Sequence, residues 1–193
     1  MATALFVIDI QNDLATDPTT RIPHADRITA AGRRILSAAR GVTKPSTGTP
    51  ELIIFVQHEE KPEDGPLVPG SAPWGLVFEP QLGAACERLV AKQTRDTFES
   101  NPALDFELKK LGVSSIIAFG IQSECCVEST CNGALAAGLE VTLLSGAHST
   151  YSDSSSGKSA VQIEREVEER LRKKGAQVMP WEDAVAAWEN AEK

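Results

Sequence analysis

Apolar residues along the chain follow two alternating rhythms. Short runs at residues 4–9 (ALFVID), 51–56 (ELIIFV), 114–119 (SSIIAF) and 140–144 (EVTLL) are rich in β-branched and aromatic side chains. They carry little polar alternation, as strands covered on both faces do. Residues 88–91 and 176–179 are weaker strand candidates. Longer stretches between them repeat at helical spacing: Leu104, Leu108 and Leu111; Ala160, Ile163, Val167 and Leu171; Trp181, Val185 and Trp188. Residues 25–40 predict a further helix that stops at Gly41. Strand–helix alternation of this kind predicts an α/β domain, a parallel sheet with helices on both faces. No internal repeat interrupts it.

Two stretches break the rhythm. Residues 41–50 (GVTKPSTGTP) read as a linker, and residues 59–83 carry five prolines and four glycines. A loop of that length inside a compact domain is usually functional. Trp74 and Phe78 are its natural lid aromatics, unless they only pin the loop to the core.

The length of 193 residues, with 41% hydrophobic and 24% charged, fits one domain over 1–193 with a sizeable core. A net charge of −8 argues against nucleic acid as the main partner, since phosphate binding needs a clustered basic surface. No run approaches the ~18 consecutive apolar residues of a membrane span. The start, MATALFVIDIQND, lacks the basic region of a signal peptide, so a cytoplasmic location is expected. Four cysteines without a C-x-x-C pair, and three histidines without H-E-x-x-H, predict free thiols and no metal site. Gly157-Lys158-Ser159 imitates the end of a P-loop, but Ser152 stands where its first glycine belongs. Neither G-x-G-x-x-G nor G-x-S-x-G is present, and no cofactor is expected.

In open parallel sheets, ligands bind beyond the carboxyl ends of the strands. Asp9 closes the first strand, Lys92 follows RLVA, and Cys126 follows SSIIAF and a turn, at the start of the next helix. Ser123 is placed to cap that helix, and Glu124 suits its first turn. A thiol at a helix start meets backbone donors and the positive dipole end, which predicts a thiolate and makes Cys126 the most reactive of the four thiols. Asp9 then serves as proton acceptor, with Lys92 as its cation. Taken singly, each residue has a plainer reading: a turn cap, a surface charge, a small buried hydrophobe. His148 and His58 line the same crevice or merely cap.

The stretches VIDIQND (7–13), AKQTRDTF (91–98) and GIQSECCVEST (120–130), in that order, resemble the isochorismatase-like cysteine hydrolase superfamily. The resemblance runs to the helix at 158–174 and covers nearly the whole chain. It implies a three-layer α/β/α sandwich around a six-stranded, mainly parallel sheet. It also implies Asp9 as acid/base, Lys92 as charge stabiliser and Cys126 as nucleophile, with the N–H groups of Gln122 and Cys126 as oxyanion hole. Ile121–Gln122 falls where relatives carry a cis peptide, and relatives are often homo-oligomers. Gln11, Trp74, Phe98 and His148 are the candidates for the substrate pocket. The chain departs from nicotinamidases in having only His58 in QHEEKPEDG, and Gly146 stands where many relatives have Asp. The expectation is an amidohydrolase cleaving a C–N bond of a small amide or N-carbamoyl compound. Vinyl ether cleavage of the isochorismatase type, a redox pair of Cys125 and Cys126, and a catalytically silent binding protein are the alternatives.

Overall fold

A computed structural model describes residues 2–43, 48–83 and 86–191. Residues 44–47 of the expected 41–50 linker lie outside them. Among the described residues, six strands form: β1 (Ala2–Ile8), β2 (Pro50–His58), β3 (Glu87–Lys92), β4 (Val113–Ile121), β5 (Glu140–Ser149) and β6 (Gln177–Pro180). They form one sheet in the order β3-β2-β1-β4-β5-β6, with every neighbouring pair parallel.

The continuous apolar runs are explained by helices on both sides. Leu5, Val7, Ile53, Phe55, Ile117 and Phe119 face one layer; Ala4, Phe6, Ile8, Ile54, Val56 and Ile116 face the other. The first layer is built from α2 (Ala25–Arg40) and α7 (Trp181–Ala191), whose Ile28, Ile35, Val185 and Trp188 are buried against the sheet. The second contains α4 (Leu104–Lys110), α5 (Glu128–Ala136) and α6 (Ala160–Lys173), through Leu104, Leu108, Cys131, Ile163, Val167 and Leu171. Phe6, Phe55 and Phe119 are fully buried, and removing each from water stabilises the fold by up to about 3 kcal/mol. Among the described residues there are also two one-turn helices, α1 (Asn12–Ala15) and α3 (Thr97–Ser100), too short to show a period.

The P-loop imitation has a local role. Ser159 caps α6: its hydroxyl accepts from Gln162 N–H at 3.3 Å, and the Gln162 carboxamide accepts from Ser159 N–H at 2.8 Å. Among the described residues no helix is long and apolar enough to cross a membrane.

Strand order reverses between β1 and β4, because the chain moves outward from β1 through β2 and β3 before returning to β4. The crevice beyond the carboxyl ends of β1 and β4 is therefore where such a sheet takes a ligand. Asp9 and the Gln122–Cys126 turn both open onto it.

Candidate active site

Three strand ends and one turn build the site. Asp9, which the apolar run places in the first strand, lies one residue beyond β1 with φ 48°, a left-handed conformation that Asp adopts more readily than most residues. Its N–H donates to Val56 O at 3.1 Å, and its C=O accepts from Gln11 N–H at 2.9 Å. The carboxyl is thereby turned out of the sheet.

Lys92 ends β3, two strands away. It pairs in register with His58, the last residue of β2, and its side chain crosses that strand end. Strands stand ~4.8 Å apart, so only a long side chain spans the gap from β3 to β1. Nζ lies 2.7 Å from Asp9 Oδ2, 3.1 Å from Cys126 Sγ, 3.2 Å from His58 Nδ1 and 3.1 Å from Thr94 O. Both members of the Lys92–Asp9 pair are buried, at 0% and 1% side-chain exposure.

The third arm comes from β4. Gly120 has φ +143°, and a Cβ there would stand 2.0 Å from Ile8 O, so only glycine permits β4 to lie this close to β1. The next peptide bond, Ile121–Gln122, is cis. The chain then makes a π-helical turn, Ser123–Val127, before α5 begins at Glu128. Such turns are frequent at functional sites. Cys126 lies inside this turn, and Ser123 is not its cap: the side chain is buried and bonds His148 instead.

The electrostatics correct one sequence expectation. Burial, and then the Asp9 carboxylate, push the Cys126 thiol well above the ordinary range, while Lys92 opposes them. A helix start in solvent would favour thiolate; here removal from water and a neighbouring anion win. The resting group is a thiol beside a carboxylate. The exposed Cys86, not Cys126, is the most accessible thiol. Burial depresses Lys92, yet Asp9 and Cys126 outweigh it and the ammonium ends above its usual value. Burial and then Lys92 lower His58, which is a neutral imidazole near pH 7. With Lys92 donating to Nδ1, its proton is on Nε2.

Among the described residues, a carboxylate oxygen of Asp9, a ring nitrogen of His58 and Cys126 Sγ lie within 4.8 Å of one another, a donor set a metal could use. The Lys92 ammonium is within hydrogen-bond distance of all three and fills the space between them. This trio therefore does not fit a metal ion.

A cavity of about 390 Å³ opens above Asp9, Gln122 and Cys126. Asp13, His58, Glu60, Arg95 and Tyr151 contribute its polar wall, and Leu14 and Leu67 its apolar wall. The four sequence-nominated pocket residues do not line it. Gln11 is fully buried and ties loop to sheet, donating to His58 O and Trp74 O and accepting from His58 N–H. Trp74 meets that network through its backbone carbonyl. Phe98 stacks on Phe6 at 6.0 Å beneath the sheet, and His148 lies buried behind the turn. Phe78 packs on the core beside Gly32 rather than over the site. The long loop does reach the cavity, but through Glu60, Pro66 and Leu67. Arg95 sits in the AKQTRDTF stretch and Asp13 in VIDIQND, so their motifs were visible; Tyr151 had no signal beyond following β5.

A parallel sheet of this order with a Cys–Asp–Lys convergence at its switch point is the design of a hydrolase of the isochorismatase class. The chain belongs to the isochorismatase family: an isochorismatase-domain family model matches residues 3–183. It is 33% identical over 150 residues to a streptothricin hydrolase of Streptomyces noursei, covering 77% of this chain and 54% of that protein. A second streptothricin hydrolase of the same organism is 31% identical, with 77% and 50% covered. The chain thus spans about half the length of the curated relatives it matches. An isochorismatase from Pseudomonas putida superposes with a TM-score of 0.77 at 26% identity, over 94% of this chain and 89% of that one. A cysteine hydrolase from Pseudomonas syringae pv. phaseolicola shares the fold with a TM-score of 0.81 at 20% identity, over 98% and 93%.

Proposed function

We propose that the protein is a cysteine amidohydrolase that cleaves the C–N bond of a small amide or N-carbamoyl compound through a thioester on Cys126. The observation that carries this reading is the bridging of Asp9 and Cys126 by the Lys92 ammonium at the foot of a cavity sized for a small molecule. A carboxylate beside a thiol holds the proton on sulfur until attack begins; the cation keeps the anion charged and supports the sulfur as the proton leaves.

As Sγ forms its bond to the substrate carbonyl carbon, the S–H proton passes to Asp9. Negative charge moves to the carbonyl oxygen, where the backbone N–H groups of Gln122, the residue that precedes the turn, and Cys126, within it, receive it. Collapse of the adduct breaks the C–N bond, and the proton on Asp9 goes to the departing nitrogen. Water then attacks the thioester, giving one proton to Asp9 and its oxygen to the acyl carbon. The C–S bond breaks, the proton returns to sulfur, and the acid is released. Lys92 remains protonated throughout and needs no metal to assist it. The similarity to streptothricin hydrolases supports hydrolysis of a small molecule.

An ammonia- and amine-release screen over primary amides and N-carbamoyl compounds tests the reading. On the best substrate, Cys126→Ala lowers turnover by about three orders of magnitude or more, as loss of a covalent nucleophile does. Near-normal turnover by Cys126→Ala overturns the thioester and moves the assignment to vinyl ether cleavage, which needs the Asp9 proton but no thiol.

A further inference from the structure

The buried groups behind the Cys126 turn form an array that the reaction steps above do not use. Ser123 Oγ and His148 Nδ1 are 2.8 Å apart, and both side chains are buried. On the other side of the ring, His148 Nε2 has no hydrogen-bond partner but faces Glu168 Oε1 at 3.4 Å. Glu168 is held from α6, where Ser145 donates to it at 2.6 Å and Arg172 lies 3.3 Å away. The carboxylate draws the ring proton to Nε2, so Nδ1 accepts from the Ser123 hydroxyl. The array Ser123–His148–Glu168 uses the three groups of a serine-hydrolase triad with the ring nitrogens exchanged, the hydroxyl on Nδ1 and the carboxylate facing Nε2. With Ser123 at 0% exposure, its hydroxyl cannot meet a substrate.

The backbone is shaped to create this contact. Between the pairs Ala118↔Leu143 and Gly120↔His148, two steps along β4 span five along β5. The extra residues form a bulge, a device that re-aims side chains beside active sites. Gly146 sits in it with φ +80°, a conformation that L side chains rarely adopt. The bulge brings His148 level with Gly120 and Ser149 level with Ile121, alongside the cis bond. Thr150 then donates to Glu124 Oε1 at 2.9 Å, adding a second tie to the same turn.

We propose that His148, facing Glu168 and anchored on Ser123, is the positioning residue that sets the Gln122–Cys126 turn in the geometry needed to receive the oxyanion. This rests on the acyl-transfer reading above. The Gln122 N–H stands in the Ile121–Gln122 peptide, one unit before Ser123, and Ser123 opens the turn that carries Cys126, so a fixed hydroxyl restrains the stretch of backbone on which both donors stand. Displacement of such donors by about 1 Å costs on the order of 100-fold in rate. Simple alkylation of Cys126 develops no oxyanion and is indifferent to where those donors point.

The test compares two reactions of the same sulfur. One is Cys126-dependent hydrolysis of p-nitrophenyl acetate, a chromogenic acyl donor; the other is iodoacetamide alkylation, followed on the peptide bearing Cys126. Ser123→Ala, which removes one oxygen, lowers kcat for acyl transfer by about 10- to 100-fold, with KM and the alkylation rate held within about threefold. His148→Leu does the same, and His148→Asn, which keeps a polar group near the Nδ1 position, restores most of the loss. Acyl transfer unchanged in both Ser123→Ala and His148→Leu overturns the proposal. So does a parallel fall of acyl transfer and alkylation, the mark of a merely loosened site. Cys126→Ala is the separate control: hydrolysis at the wild-type rate in that variant defeats the thioester reading, whatever the Ser123 variants do.

Discussion

Replacing Asp9 by Asn should make Cys126 a better nucleophile toward a simple alkylating agent while nearly abolishing turnover. In the resting site the thiol is held up first by burial and next by the Asp9 carboxylate, with Lys92 pulling the other way. A carboxylate oxygen of Asp9 lies within 4.8 Å of Sγ. At an effective dielectric constant of about 20, two negative charges at that separation repel by about 3.5 kcal/mol. Neutral Asn removes this repulsion and leaves the ammonium 3.1 Å from the sulfur. At 1.36 kcal/mol per tenfold, the thiolate population rises by about 300-fold. A less basic thiolate is a weaker nucleophile, with a Brønsted slope of about 0.4–0.5, which trims the gain to about 17- to 30-fold. Amide turnover falls instead, by about 100-fold or more, because Asn neither accepts the thiol proton nor returns it to nitrogen. The assay is iodoacetamide labelling at neutral pH, quantified on the Cys126 peptide, beside turnover of the same preparations and a urea unfolding curve to confirm folding. If alkylation of Asp9→Asn slows together with turnover, Asp9 assists deprotonation more than it opposes thiolate, and this account of the resting state is wrong.

Lys92→Met leaves the buried Asp9 carboxylate without its cation and should destabilise the protein by about 3–5 kcal/mol in urea unfolding near neutral pH. The double variant Asp9→Asn/Lys92→Met should lose less than the two singles added together, and strict additivity would refute the coupling. His58 is depressed, so on acidification the unfolded chain takes up its proton before the folded one. Wild-type stability should therefore fall as pH drops below about 6.5, by at most about 1.4 kcal/mol per pH unit from this group, and His58→Gln should flatten that fall in urea midpoints between pH 7 and 5. Gly120→Ala would drive a Cβ against Ile8 O and should cost about 3 kcal/mol or more, or abolish soluble expression; a urea midpoint within error of wild type would show that β1 and β4 can separate freely.

The runs ALFVID, ELIIFV, SSIIAF and EVTLL determined four central strands, and their lack of polar alternation determined that both sheet faces are covered, because a residue pattern reports burial directly. Helical spacing did the same for α4, α6 and α7, and Gly41 marked the end of the less cleanly patterned α2. The convergence of Asp9, Lys92 and Cys126 was legible only in combination: each follows a strand, where side chains can leave the core, and the stretches around them together resemble one family, whereas singly each kept a plainer reading. Tertiary structure alone decided which charges meet. Lys92 reaches Asp9 across a strand contributed by residues 50–58, and no spacing in sequence encodes a contact between strands two places apart. It also reversed the thiolate expectation: a local helix-start argument omits desolvation by distant elements and the Asp9 charge, and these prevail in a buried site. The pocket nominees failed for the same reason. Gln11, Trp74, Phe98 and His148 have the right chemistry for a wall, but whether a side chain faces a cavity or a neighbour depends on the turn beyond β1, the path of the 59–83 loop and the β5 bulge. Each of these is set by long-range packing and left no period in the chain.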